Sequence, residues 1–389
     1  MKKKLIYLSH WRFPSEKTMT PLIMKTCEGF VQEGYDVELW IPTRHNPEFH
    51  IQDPFQVHNI KTQFTIRRLF AIDLIRFLGR FGFLLLVMSF NLQVFLRLLF
   101  ADRSRTILYA HDVRDILFLT YLGYPTYIEI HDFYESRLHA INRMVFRHTT
   151  GLIVTNTLKL KHIAGTYGFP ATAMIHQPNA VDYTFFNTNL KQDEARKVLG
   201  LPNDKRIILY TGHLFSWKGV ETLALASRSL PDDYLVYFVG GTPHDREVLK
   251  EFVREHSLPR IEFLAHQDHA RIPLFLKAAD VLVLPNTAKE EASRLETSPV
   301  KLFEYMASGV PIVASDLPSI RDIVTDNEVQ FFVADDPESL AEAIKETLTN
   351  PDESTERSQR AAEHAKRLSW EARRAAIAIL IRETSTIRS

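Results

Sequence analysis

The sequence is poor in cysteine and glycine, and it has no excess of either charge. Its 389 residues include one cysteine, Cys27, which excludes an intramolecular disulfide or a cysteine-based metal site and favours a reducing compartment such as the cytoplasm. Its 14 glycines are fewer than usual, so any phosphate site has few glycine turns to use. The 47 basic residues equal the 47 acidic ones, which argues against a nucleic-acid partner.

The N-terminus also lacks a long hydrophobic run. The basic start, residues 1–9, has an apolar stretch too short for the core of a signal peptide, and we expect it to form the first strand. A hydrophobic content of 45% with 24% charged residues is typical of globular proteins, and the length suggests two domains.

Short apolar runs alternate with helical patterns along the whole chain. This alternation is typical of parallel sheets covered on both faces, and two sets of about six strands predict two doubly wound α/β domains. We predict domains at residues 1–186 and 187–370, followed by a C-terminal helical region at residues 371–389 that returns to the first domain. Apolar residues at helical spacing place the final helix over Glu363–Ile381. The predicted strands are Leu5–Leu8, Val37–Ile41, Ile107–Tyr109, Tyr127–Ile130, Leu152–Val154, Met174–His176, Ile207–Tyr210, Leu235–Val239, Ile261–Leu264, Val281–Leu284, Ile312–Ala314 and Phe331–Val333.

The most informative segment runs from residue 296 to residue 316. Ser298 is predicted to be the N-cap and Pro299 the first residue of a short helix, which Gly309 ends before the strand Val310–Ala314. The helix therefore opens at the carboxyl end of a parallel strand. Free N–H groups at such a helix start favour an anion, for example a diphosphate.

Two glutamates flank this helix start. Glu296 lies in the loop before the helix and Glu304 lies within it, where a carboxylate can accept hydrogen bonds from a ribose or a sugar. The alternative is that both are solvated surface carboxylates.

The Glu296-x7-Glu304 spacing in this frame resembles the signature of retaining glycosyltransferases of family 4. The resemblance implies the GT-B fold, in which two Rossmann-like doubly wound domains face each other across a cleft, the first binding the acceptor and the second the nucleotide-sugar donor. Further segments similar to the family are Pro178-Asn179-Ala180-Val181-Asp182 (with Ala180 in place of a glycine), Tyr210-Thr211-Gly212-His213-Leu214 with Lys218-Gly219, Ala279-Asp280-Val281, and Ser369-Trp370-Glu371.

The resemblance also implies roles for individual residues. Glu296 would face the donor sugar, Glu304 the ribose, and Lys218 the diphosphate, whose departure builds negative charge that an ammonium group stabilises. His213 replaces the usual arginine and would be a hydrogen-bond donor, or else a structural histidine. The remaining residues assigned to the donor are Gly212, Thr297, Ser298 and Val300.

In the N-terminal domain, the resemblance places a histidine near the donor sugar and the acceptor hydroxyl. His131 matches this position at the end of a strand, and His111 has the same arrangement one strand earlier. The loop after the first strand lacks the family's glycine pair, so Ser15 or Lys17 would contact phosphate there. Structural roles are the alternatives for both histidines.

Neither an Asp-x-Asp pattern nor a spaced histidine–carboxylate cluster occurs in the sequence. We therefore expect transfer without a metal ion and without a cofactor beyond the donor, a UDP-, GDP- or ADP-sugar.

Residues 61–105 are apolar and strongly basic. The sixteen uncharged residues between Arg80 and Arg97 fall short of the ~20 that a membrane span needs, so the segment predicts either a surface contact with anionic lipid or a buried core helix. The basic residues are Lys61, Arg67, Arg68, Arg76, Arg80, Arg97, Arg103 and Arg105, and the acidic ones are Asp73 and Asp102.

The sequence and this resemblance thus predict a retaining, hexosyltransferase-type glycosyltransferase of envelope polysaccharide or glycolipid synthesis. It would be cytoplasmic, peripheral on the inner face of the membrane, and act on a glycan or lipid-linked acceptor. The alternatives are a nucleotide-sugar epimerase of the same fold and a non-catalytic sugar-nucleotide-binding subunit of a polysaccharide assembly complex.

Overall fold

The computed structural model describes residues 2–15, 19–44, 53–131 and 135–387. The chain divides into two units, the first comprising Met1–Gln177 with Trp370–Ser389 and the second Pro178–Ser369.

The first unit is built on a parallel sheet in which seven strands are described. Their order is β3-β2-β1-β4-β5-β6-β7. Alternate residues of β1 lie in separate hydrophobic clusters, Ile6 and Leu8 on one face and Leu5 and Tyr7 on the other, so the sheet is covered on both faces. The elements are β1 Lys4–Leu8, α1 Met19–Gln32, β2 Asp36–Pro42, α2 Pro54–Val57, β3 Thr65–Leu69, α3 Ile75–Leu98, β4 Thr106–Ala110, β5 Thr126–Ile130, α4 Glu135–Phe146, β6 Gly151–Val154, α5 Thr157–Tyr167 and β7 Met174–His176, with the chain's final helix, Trp370–Ile387.

The second unit repeats this plan with six described strands, all parallel, in the order β10-β9-β8-β11-β12-β13. Its elements are α6 Tyr183–Phe186, α7 Gln192–Leu199, β8 Arg206–Thr211, α8 Val220–Ala226, β9 Tyr234–Val239, α9 Pro243–Glu255, β10 Ile261–Leu264, α10 Ile272–Ala278, β11 Val281–Leu284, α11 Val300–Ser308, β12 Ile312–Ser315, α12 Pro318–Arg321, β13 Gln330–Phe332, α13 Pro337–Thr349 and α14 Pro351–Arg367. The final helix, Trp370–Ile387, is α15.

The strand order reverses once in each sheet. In the first unit the reversal lies between β1 and β4, and in the second between β8 and β11. In doubly wound sheets, ligands bind at the carboxyl ends of the strands beside this reversal. The residues that follow these four strands are therefore the first to inspect in each unit.

The structure corrects three details of the predicted organisation. The strand β3 was not predicted, because its sequence TIRRL places polar side chains on an exposed sheet edge. The predicted helix Glu363–Ile381 is two helices, α14 and α15, separated at Ser369, which forms a parallel bridge with Val181. The units divide after Gln177 rather than after residue 186, since Phe186 packs in the core of the second unit.

Candidate functional site

In the second unit, the turn after β8 passes very close to the end of β11. A Cβ atom at Gly219 would lie 1.7 Å from the carbonyl oxygen of Pro285, so this contact requires glycine, whose φ there is 70°. A Cβ atom at Gly212 would lie 3.0 Å from Lys301 Nζ. The two glycines therefore let the β8 turn close over the start of α11.

Lys301, in the first turn of α11, is the most unusual charged group of this unit. Its Nζ is buried and has no hydrogen-bond partner among the described residues, and it lies 3.7 Å from the centroid of the Tyr210 ring. Burial, with the nearby Lys218 ammonium, lowers the pKa of Lys301 well below its ordinary value. An ammonium group held in this way is compensated best by an anionic ligand.

Two further basic side chains lie around Lys301. Lys218 Nζ lies 3.7 Å from the centroid of the Trp217 ring, and burial lowers the pKa of Lys218 to about 8. Burial and the charges of Lys301 and Lys218 also lower the pKa of His213, whose ring stacks on Phe215. The mutual electrostatic effects show that Lys218, Lys301 and His213 form one basic group, which we call the β8–α11 cluster.

The start of α11 differs from the prediction at Ser298. The helix begins at Val300 with Pro299 as its N-cap, and no side chain caps it. Ser298 Oγ instead accepts a hydrogen bond of 3.1 Å from the backbone N–H of Asn179, whose side-chain amide donates to the Ser298 carbonyl at 2.6 Å. Asn179 belongs to the segment resembling Pro-Asn-Gly-Val-Asp, and this segment fixes the loop before α11. The uncapped helix start is left to bind an anion.

The two glutamates of the motif lie in different settings. Glu296 was predicted in a loop but ends a π-helical turn, Ala292–Glu296, a distortion frequent at functional sites. Glu304 Oε1 lies 3.5 Å from His269 Nε2, and this contact raises the pKa of His269. His269 also stacks on Phe185, 5.3 Å between centroids.

The other predicted donor residues lie between these groups. Thr297 follows the π-helical turn and donates its N–H to the Ala292 carbonyl at 2.9 Å, and Val300 is the first residue of α11. Just after β11, the side-chain amide of Asn286 is fully buried, with both polar atoms lacking a partner among the described residues. Asn286 was not predicted.

In the first unit, His131 follows β5 and is bonded to a buried carboxylate. Its Nε2 lies 2.5 Å from Glu129 Oε1, as expected for residues i and i+2 on one face of a strand. Arg373 of α15 donates to the same oxygen at 2.5 Å, and the Tyr109 hydroxyl donates to the other at 2.7 Å. Burial alone would raise the pKa of Glu129, but Arg373 and His131 more than offset it and lower that pKa.

A second histidine–carboxylate pair lies at the strand reversal of the first unit. His10, which follows β1, places Nδ1 2.7 Å from Asp115 Oδ1, and this carboxylate raises the pKa of His10 despite its burial. His111, which follows β4, is buried with neither ring nitrogen hydrogen-bonded among the described residues. Its Nδ1 lies 3.6 Å from Asp115 Oδ2, and burial lowers its pKa to about 4.

The loop after β1 gives less support to the predicted phosphate contacts. Ser15 is buried, 1% exposed, so its hydroxyl is withdrawn from the surface. Lys17 lies outside the described residues. His10 of this loop reaches the strand ends, and its position two residues after an apolar strand was the available signal.

No group of three or more His, Cys, Asp or Glu side chains that could hold a metal ion occurs within the described ranges. The residues missed by the sequence analysis carried weak signals. Glu129 is a charge inside an apolar strand, Arg373 a charge inside an apolar helix, and Lys301 a cation in a helix first turn where acids are preferred.

The second unit carries the similarity to known families. Residues 191–367 match the family model described as Glycosyl transferases group 1. The matched region contains the whole β8–α11 cluster, Glu296 and Glu304.

Curated relatives align with a little under half of the chain. A D-inositol 3-phosphate glycosyltransferase from Corynebacterium urealyticum is 27% identical over 195 residues, covering 47% of this chain and 44% of the relative. The putative teichuronic acid biosynthesis glycosyltransferase TuaC from Bacillus subtilis is 28% identical over 179 residues, covering 46% of this chain and 41% of the relative. The chain thus spans less than half the length of these relatives.

Solved structures match the chain over both units. HepE from Anabaena, solved in complex with UDP, gives a TM-score of 0.77 at 16% identity and covers 98% of this chain and 100% of that one. Sucrose-phosphate synthase from Thermosynechococcus elongatus gives a TM-score of 0.77 at 17% identity, covering 99% of this chain and 100% of that one. These matches confirm the predicted GT-B fold with two Rossmann-like units.

Proposed function

We propose that this protein is a retaining glycosyltransferase that moves a sugar from a nucleotide diphosphate donor to an acceptor hydroxyl. The observation that carries the proposal is the β8–α11 cluster, where the buried, unpartnered Lys301 ammonium and Lys218 lie beside an uncapped helix start. Such an arrangement suits the diphosphate of a nucleotide-sugar. It suits the departing nucleoside diphosphate better still, because negative charge builds there as the bond to the sugar breaks.

The donor's other parts are assigned to the two glutamates. Glu304 accepts hydrogen bonds from the ribose, so the contact with His269 would be exchanged for ribose hydroxyls when the donor binds. Glu296, held at the end of the π-helical turn, faces the sugar. Among UDP-, GDP- and ADP-sugars we favour a UDP-sugar, since HepE, which shares the fold, was solved with UDP.

The reaction then needs no covalent enzyme intermediate. The bond between the sugar's anomeric carbon and the diphosphate oxygen breaks, the acceptor oxygen bonds to the same face of that carbon, and the acceptor proton passes to the departing diphosphate. Lys218 and Lys301 stabilise that diphosphate throughout, and the proposed reaction uses no metal ion. In the first unit, His131 would orient sugar or acceptor hydroxyls, with its ring fixed by Glu129.

The acceptor is proposed to be a glycan or a lipid-linked saccharide of the cell envelope, met at the cytoplasmic face of the membrane. This part of the proposal is supported by the apolar and basic segment of the first unit. It is also supported by TuaC, whose name assigns it to teichuronic acid biosynthesis.

The test begins with a thermal-shift series of UDP-, GDP- and ADP-sugars, because a ligand that binds only the folded state raises Tm. Hydrolysis of the bound sugar nucleotide by water, followed by NMR of the released sugar, then reports both activity and anomeric configuration. Glu296→Gln should abolish hydrolysis while the donor still raises Tm. Glu291→Gln, an exposed neighbour five positions earlier, is the matched control and should keep full activity.

The result separates the alternatives. A non-catalytic subunit would bind the donor but show the same absence of turnover in wild type and Glu296→Gln. An epimerase would return an isomerised sugar nucleotide instead of free sugar. Release of the sugar with inverted configuration would contradict the retaining mechanism.

A further inference from the structure

One face of α3 is built into the first unit. Leu86, Phe90, Val94 and Leu98 recur at helical spacing and are buried in the core cluster beneath the sheet. The Asn91 side-chain amide also points inward and donates to the Arg114 carbonyl at 2.9 Å. This face fixes the helix to the unit along most of its length.

The opposite face of α3 is apolar too, yet it is exposed. Its side chains follow each other at intervals of three or four residues, and their exposure runs from 41% for Met88 to 78% for Phe77. Phe100, just after the helix, is 92% exposed. We call this face the α3 stripe, and its members are Phe77, Phe81, Leu84, Met88, Leu92 and Leu96.

An exposed apolar patch of this length on a folded domain marks an interaction surface. The start of the helix is kinked. Gly79 has φ 52°, which breaks the helical path, and Gly82 packs against the preceding turn, where a Cβ would lie 2.4 Å from the Leu74 carbonyl oxygen. Phe77 and Phe81 therefore lie on either side of this kink, and both side chains are exposed.

By length and composition, Ile75–Leu98 could cross a membrane. Its packing argues against that orientation, because 39% of its most apolar 18-residue stretch is buried inside the unit, and the buried face belongs to the core. A spanning helix would have to withdraw that face from the sheet. A helix with one face in a domain core and the other exposed lies in the plane of an interface instead.

The charges around the α3 stripe are of one sign. Arg76 and Arg80 are exposed at the start of the helix and make no ion pair with any described residue, and Arg97 is exposed at its end. No acidic residue occurs in the sequence between Asp73 and Asp102. The helix that carries the stripe therefore presents arginines and no carboxylate of its own.

We propose that the α3 stripe rests in the plane of an anionic lipid bilayer, with its apolar side chains among the acyl chains and its arginines among the lipid phosphates. Charge decides between this occupant and a second copy of the chain. Both ends of the stripe carry arginines, so a pairing of two stripes would bring arginines together with no acid on α3 to neutralise them. An anionic bilayer supplies both the apolar layer and the negative charge.

This inference does not depend on glycosyl transfer. If both proposals hold, the bilayer would present a lipid-linked acceptor to the first unit.

Flotation with lipid vesicles tests the proposal on the full chain. Wild type should float with vesicles of phosphatidylcholine mixed with phosphatidylglycerol, and much less with phosphatidylcholine alone. High salt should release most of the bound protein, since the arginine contribution is screened. A spanning helix would resist this release.

Two pairs of substitutions separate the contributions of charge and apolar surface. Arg76→Gln with Arg80→Gln should weaken binding to the anionic vesicles about thirtyfold, from roughly 1 kcal/mol for each basic residue. Phe77→Ser with Phe81→Ser should weaken it about a hundredfold or more. The matched controls lie on exposed surface of the second unit, Arg254→Gln with Lys366→Gln and Val198→Ser with Val248→Ser, and should bind like wild type.

All variants replace exposed side chains, so their melting temperatures should match that of wild type, which excludes unfolding as the cause of lost binding. The proposal is overturned if wild type fails to float with anionic vesicles, or if the stripe variants partition as wild type does. A concentration-dependent dimer that Phe77→Ser with Phe81→Ser dissociates, without vesicle binding, would assign the stripe to a second copy.

Discussion

The strand ends of the two units use charge in opposite ways. In the first unit, His10 is paired with Asp115, and His131 with Glu129, which Arg373 also binds. In the second unit, the β8–α11 cluster gathers two lysines and a histidine, and the Lys301 ammonium has no hydrogen-bond partner in the described part of the chain.

The difference indicates what each unit is prepared to bind. Paired groups are already neutralised, so they hold a fixed geometry and offer single hydrogen bonds to neutral hydroxyls. Unpaired cations carry a free-energy cost that an anion removes on binding. Substitutions in the first unit should therefore act mainly on stability, and those in the second mainly on donor binding and turnover.

Breaking the Glu129 network should give the largest effect. Glu129→Leu leaves the Arg373 guanidinium buried without its carboxylate and the Tyr109 hydroxyl without its acceptor, and we expect a loss of about 3–5 kcal/mol in the free energy of unfolding. Urea unfolding measures this directly.

The double variant Glu129→Leu with Arg373→Met is the control, because it removes both charges and should recover most of the lost stability. Its turnover should stay low, since His131 has still lost the carboxylate that orients it. A single-variant loss below about 1 kcal/mol would show that the network is no stronger than a surface pair.

Lys301→Met should have the reverse effect in the second unit. If Lys301 stabilises the departing diphosphate as proposed, its removal should lower kcat/KM for the donor about 10²–10³-fold. The free protein should become more stable, because its folded state no longer holds an unpartnered buried ammonium.

The stability gain of Lys301→Met has a defined pH dependence. The folded pKa of Lys301 lies below its unfolded value of 10.5, so wild type loses stability as the pH falls from that value toward the folded pKa, and the methionine variant does not. The gain should be present at neutral pH and vanish above about pH 10.5. Exposed Lys366 is the matched control: Lys366→Met should alter neither kinetics nor stability. A less stable Lys301→Met would indicate a structural lysine.

The strands and helices of this structure were predicted well from the sequence, whereas contacts between distant residues were predicted poorly. Twelve of the thirteen described strands are short apolar runs such as Leu5–Leu8, and the short helix before Gly309 follows from its flanking residues. The strand β3 escaped because an exposed edge needs no apolar pattern.

Contacts between distant residues were beyond sequence reasoning. Ser298 has the chemistry of an N-cap, but Asn179 competes for its hydroxyl from more than a hundred positions away. Glu129 meets Arg373 only because α15 returns to the first unit. The preference of a side chain for nearby backbone groups cannot reveal such partners, because they come together only in the folded chain.

The smallest effect is expected at His213, a titratable side chain of the β8–α11 cluster. Burial and the neighbouring lysines hold its pKa below 6.5, so at pH 7 His213 adds a largely neutral imidazole to the two lysines of the β8–α11 cluster. As the pH falls through that pKa the imidazole gains a proton, and donor binding should tighten. Above pH 8, binding should weaken as Lys218, with a pKa of about 8, loses its proton.

His213→Arg supplies a permanent positive charge, so it should raise donor affinity by about tenfold or less. It should also abolish the change in affinity on the acid side of neutral pH while keeping the change on the alkaline side. Calorimetric titration with a sugar nucleotide is the measurement, because its diphosphate diester keeps a constant charge over this range. If His213→Arg instead eliminated donor binding, the imidazole would be needed for its shape or its hydrogen bond, and the second unit would not act through accumulated positive charge alone.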